Sequence, residues 1–69
     1  MSKADEMFEK LGYMLKYEND RLAKYSRGLD NIIFYKNVEG VYSNTTLLSK
    51  QLQAINEKCK ELRWIEWKT

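Results

Sequence analysis

The hydrophobic period of this 69-residue chain changes twice, from helical to alternating and back, and that order dictates what it can fold into. Ala4, Met7, Phe8 and Leu11 fall at i, i+3, i+4 and i+7, a single apolar helical stripe. Ser2 suits the N-cap, Asp5 and Glu6 suit the positive end of the helix dipole, and Lys10 suits the negative end. Gly12 supplies the left-handed residue that commonly ends a helix, so the first helix is expected at 3–11.

Beyond Gly12 the period becomes two. Tyr13, Leu15 and Tyr17 alternate with Met14, Lys16 and Glu18, and the turn signals Asn19-Asp20, Arg27-Gly28 and Asn37 to Gly40 come about ten residues apart. Strands are expected at 13–18, 21–26, 31–36 and 40–45, with a type I turn and a bulge at Gly40 before the last. Antiparallel pairing is required, because parallel crossovers need more chain than these connections hold. Leu48, Leu52, Ile55, Cys59 and Leu62 then step by four and three, which predicts a second helix over 47–62 and a short aromatic tail over 63–69. The expected fold is α+β, α-β-β-β-β-α, one domain over 1–69, an antiparallel meander with both helices on one face. Phe8, Leu11, Leu15, Ile32, Phe34, Val41, Leu52, Ile55, Cys59 and Leu62 are its predicted core.

Composition removes several chemistries. No His and one Cys leave no zinc finger, Cys–His nucleophile pair or disulfide scaffold, and three glycines form no phosphate loop. Lone Cys59 suits a reducing cytoplasm, and no apolar run approaches the about 20 residues of a membrane helix. Asp5/Glu9 and Glu57/Glu61 stand four apart, a spacing open to acid–base work, but lysines beside them favour a solvated helix face. No cofactor, metal or catalytic residue is expected, and the chain reads as a non-enzyme.

The stretches KADEMFEKLGY, IIFY and LQAINEKCKELRW together resemble a group of small uncharacterised proteins of Gram-positive bacteria and their phages or prophages. That resemblance implies a helix–meander–helix fold and a phage or mobile-element origin, and it implies no activity. Arg63 departs from the group's pattern, which has Gly after the last helix. A non-Gly residue there favours a helix that runs on toward Trp64.

The strands support two binding readings. Ile32 and Phe34 point to one face of the third strand while Ile33 and Tyr35 point to the other, so both faces of that strand are apolar. Two helices on one side leave the second face open. An apolar patch of Ile33, Tyr35, Tyr42 and Tyr25 is therefore expected there, as the surface for a protein partner, first of all a second copy in a homodimer. Trp64 or Trp67 folded over that face is the alternative cover. The other reading is a weak nucleic-acid module, in which Lys16, Lys24 and Lys36 alternate with tyrosines as a stacking platform. A net charge of +2 without a basic run argues against it.

Overall fold

The Ser2 hydroxyl accepts the Asp5 N–H at 3.1 Å and starts α1, Lys3–Lys10, in the computed structural model of the protein, which describes residues 2–65. Gly12 ends that helix with φ at +90°. Four strands come next, β1 Met14–Glu18, β2 Leu22–Arg27, β3 Asp30–Tyr35 and β4 Gly40–Ser43, and then α2, Ser49–Glu61. The strands pair antiparallel in the order β1-β2-β3-β4, the expected meander. Each turn has its own device. Asn19 Oδ1 accepts the N–H groups of Arg21 and Leu22 at 2.8 and 2.9 Å between β1 and β2. Gly28, with φ at +59°, opens the two-residue loop between β2 and β3. Between β3 and β4 the positive φ of 52° falls on Glu39 and not on Gly40, which instead pairs with Tyr35 as the first residue of β4.

Both helices lie on the inner face of the sheet, over an aromatic cluster. Phe8 stacks on Tyr25 with centroids 4.1 Å apart, and Phe34 meets both rings edge-on near 6 Å. Tyr13, Ala23, Ile32, Ala4 and Ala54 complete the buried core. Small side chains at Ala4 and Ala54 let the helix backbones approach the rings closely.

Several expected core residues lie elsewhere. Helix α2 is turned by one residue from the expected seam, so Gln51, Ala54 and Lys58 face inward. Leu48 and Leu52 stand 64% and 51% exposed, while Ile55, Cys59 and Leu62 pack on the flank of the core. Leu15 and Val41 lie near the sheet edges and are also partly exposed.

The end of α2 differs from expectation as well. Arg63 adopts φ of +62°, the Trp64 N–H donates to Cys59 O at 2.9 Å, and the Arg63 N–H donates to Lys60 O at 3.0 Å. These two bonds form a Schellman motif, so the helix stops without the glycine. Trp64 then turns back onto Phe34, 6.1 Å between centroids, on the inner side of the sheet. It does not cover the outer face, and Trp67 lies outside the described residues.

Candidate interaction surface

A register shift between Leu15 and Tyr17 places a bulge at Lys16 in β1, and this one extra residue exchanges the faces of Tyr17 and Glu18. Strict alternation would put Tyr17 with Leu15. The bulge instead sets Tyr17 opposite Lys24 on the outer face and turns Glu18 inward opposite Ala23. The register then aligns Tyr17, Lys24, Ile33 and Tyr42 as one row across all four strands. One step along, Leu22 sits opposite Tyr35, and Tyr35 opposite Gly40. One step the other way, Met14 faces Ser26 and Ser26 faces Asn31, a polar end closed by a 2.6 Å bond from Ser26 Oγ to Asn31 Oδ1.

The outer face is therefore aromatic and apolar over most of its area. Tyr17 is 55% exposed, Tyr42 52% and Tyr35 39%, with Met14 beside them. Among the described strand residues paired in register on the outer face the one charge is Lys24, and there is no carboxylate. The patch expected from the sequence is corrected at one position. Ile33, Tyr35 and Tyr42 share the outer face, whereas Tyr25 is fully buried on the inner one. Its neighbour Lys24 takes the outward place, because side chains alternate along β2. Tyr17, Met14 and Leu22 are additions: alternation along β1 and β2 places Met14 and Leu22 there, and the bulge brings Tyr17 round.

The lysines set out for nucleic acid separate too. Lys24 stands within the outer row and Lys16 lies exposed at the edge bulge. Lys36 is tied down, donating to Glu18 Oε2 at 3.0 Å and to Asn19 O at 2.7 Å.

Inside the fold a buried charge takes the place where a leucine would be expected. Lys58 Nζ donates to Glu61 Oε2 at 2.7 Å and to Glu18 Oε2 at 3.1 Å, and lies 5.8 Å from the Tyr25 ring centroid. Burial pushes the Glu18 carboxyl up, but the bonds from Lys36 and Lys58 outweigh it and hold it below its ordinary range. Burial pulls Lys58 down, and Glu61 and Glu18 more than restore it, so its ammonium is held above its ordinary range. Tyr25 is pushed up strongly, by burial first and then by its 2.5 Å bond to Asp5 Oδ1.

These contacts give the helix carboxylates structural work. Asp5 holds Tyr25, Glu61 holds Lys58, and Glu57 lies 3.6 Å from Lys60. Asp5 and Glu9 also line a half-enclosed cavity of about 230 Å³ with Tyr13, Met14 and Leu15. The Tyr13 hydroxyl is buried and meets no hydrogen-bond partner among the described residues. Burial pushes the half-buried Cys59 thiol up, away from the nucleophilic thiolate. Among the described residues no three His, Cys, Asp or Glu side chains gather as a metal would need, and no helix is long and apolar enough to cross a membrane. Models of known families, curated proteins and solved structures yield no match to this chain.

Proposed function

We propose that this chain is a small non-catalytic interaction module of the cytoplasm that binds a protein partner through the outer face of its sheet. The observation that carries this reading is the outer face itself. Six neighbouring positions (Tyr17, Leu22, Lys24, Ile33, Tyr35 and Tyr42) present one cation and otherwise apolar or aromatic area, and no described element covers them. Contiguous apolar patches of that kind mark contact surfaces, and tyrosine suits one because it joins apolar area to a hydroxyl that tolerates water.

Capture with immobilised protein tests the reading. Ile33→Glu places a carboxylate in the middle of the face, and Leu52→Glu places one on the exposed flank of α2. Whatever the wild type retains, its own chain or another protein, should be lost with Ile33→Glu and kept with Leu52→Glu. Retention that Ile33→Glu leaves unchanged, in a variant with wild-type circular dichroism, removes the outer face as the binding surface.

One observation favours a second reading, binding of single-stranded nucleic acid: among the described residues the paired outer rows carry Lys24 and no carboxylate, and three exposed tyrosine rings stand around it. The tie between Lys36 and Glu18 leaves Lys24 and Lys16 to meet phosphates. Titration with labelled oligonucleotides at two salt concentrations decides it, because phosphate contacts weaken steeply with salt. No binding at low salt discards this reading.

A further inference from the structure

We infer that the partner on the outer face is a second copy of this chain, related by a two-fold axis that runs parallel to the strands between β2 and β3. The inference rests on the outer face being the binding surface and adds what covers it. An isologous interface must match a surface to itself, so the order of side chains across the sheet is decisive.

Such an axis reverses the order of strands and leaves the position along them unchanged. The row Tyr17, Lys24, Ile33, Tyr42 then meets itself reversed. Tyr17 faces the copy's Tyr42 at both ends of the row. Each Lys24 stem lies on the copy's Ile33, with its ammonium free to reach the tyrosine rims, as long cationic side chains do. The flanking rows agree. Leu22 falls on the copy's Tyr35, apolar on apolar, and Ser26 falls on the copy's Asn31, polar on polar.

An axis perpendicular to the strands does the opposite. It keeps each strand over its own copy and reverses position along it, which sets Lys24 against Lys24. It also sets Leu22 against Ser26 and Tyr35 against Asn31, apolar on polar. Like charges opposed in a desolvated contact are costly, so the pattern itself selects the strand-parallel axis. Packing of two sheets with their strands nearly aligned is a common arrangement, offset by about 30° through their twist.

Two further features fit this partner. The protein has 4984 Å² of accessible surface, and a standard interface takes about 800 Å² from each partner, roughly one sixth of it. One broad face of a body measuring 34 × 24 × 24 Å supplies a share of that order. Growth by edge pairing is blocked, since β1 carries the Lys16 bulge and β4 has only four residues.

Light scattering and crosslinking in a Cys59→Ser background test the arrangement together. The wild type should scatter as a dimer of the 8.3 kDa chain at high micromolar concentration. Tyr17→Cys and Tyr42→Cys variants should each give little crosslinked dimer alone, because each thiol lies about 14 Å sideways from its own copy, three strand spacings. Mixed, they should crosslink readily with a short bismaleimide. Should a tyrosine variant fail to fold, Leu22→Cys and Tyr35→Cys test the axis one row along: alone or mixed they should crosslink, since each lies about one strand spacing sideways from its own copy, whereas the perpendicular axis holds them about 13 Å apart along the strands. Efficient crosslinking of Tyr17→Cys with itself overturns the axis. A wild type that stays monomeric overturns the dimer, and the Ile33→Glu capture then still decides separately whether the outer face binds anything.

Discussion

Lys58 sets a full positive charge where the surrounding rings would accept a leucine, and the fold tolerates it because two carboxylates converge on the ammonium. With 1% of its side chain exposed, the charge depends wholly on Glu18 and Glu61. Removing one member of such a buried network typically costs about 3–5 kcal/mol, against a total of roughly 3–10 kcal/mol for a domain of this size. Lys58→Ala should therefore melt far below the wild type. Lys58→Met keeps the stem and leaves Glu18 its bond from Lys36, so it should melt between the two. Thermal melts by circular dichroism give the order, and an unchanged midpoint for Lys58→Ala denies the network its role. Arg63 illustrates a local cost of the opposite kind. Its left-handed φ of +62° is one that glycine adopts freely. Arg63→Gly should raise stability by up to about 1 kcal/mol, with the gain in unfolded-chain entropy taking back part of it. A lowered melting midpoint contradicts that account.

Among the elements, α2 carries the clearest mismatch between sequence pattern and packing. Its leucine seam gives the helix correctly but the wrong rotation. Hydropathy rates Lys58 and Gln51 as polar and therefore outward, and nothing local says that Glu18, forty residues earlier, turns inward to meet Lys58. That meeting depends on the bulge at Lys16, which alternation alone does not reveal. The same bulge decides which tyrosines share the outer face. The meander, by contrast, was legible because each turn is marked by local chemistry, and β3 stood out because both its faces are apolar. Ile33, Tyr35 and Tyr42 were legible by alternation from neighbouring strands, and Tyr25 was misplaced because the phase of β2 is set by pairing and not by its own composition. The start of α2 also departs from sequence preference. Leu48 occupies the N-cap with no side-chain acceptor, although Gln51 Oε1 reaches back to accept its N–H at 3.0 Å. Leu48→Ser supplies the missing half of that capping box and removes an exposed leucine. It should add about 1 kcal/mol, or roughly 4–8 °C in melting midpoint. No gain in the melt would show that the helix start is satisfied already.

At the scale of the whole molecule, the polar ties join parts that the apolar cluster alone would hold loosely, and their titration sets the pH range of stability. Glu18 on β1 binds Lys58 of α2 and Lys36 beyond β3, while Tyr25 of β2 binds Asp5 of α1. The Glu18 carboxyl is held below its ordinary 4.5 in the fold, so its contribution is complete above about that pH. It is lost as the pH falls further, through the folded value, when the unfolded chain binds the proton more readily. Lys58 and Tyr25 are both held above their ordinary values, 10.5 and 10.0. Their contributions are complete below those values and fade as the pH rises through the folded ones, because the unfolded chain releases its protons first. Stability should thus form a plateau with an acid shoulder owed to Glu18 and an alkaline shoulder owed to Lys58 and Tyr25. Urea midpoints measured from pH 3 to pH 11 trace it. Glu18→Gln should flatten the acid shoulder while lowering the plateau. Tyr25→Phe removes the phenol and should soften the alkaline fall. If Glu18→Gln leaves the acid slope unchanged, other carboxylates govern it and the network does not couple the helices to the sheet in the way its geometry requires.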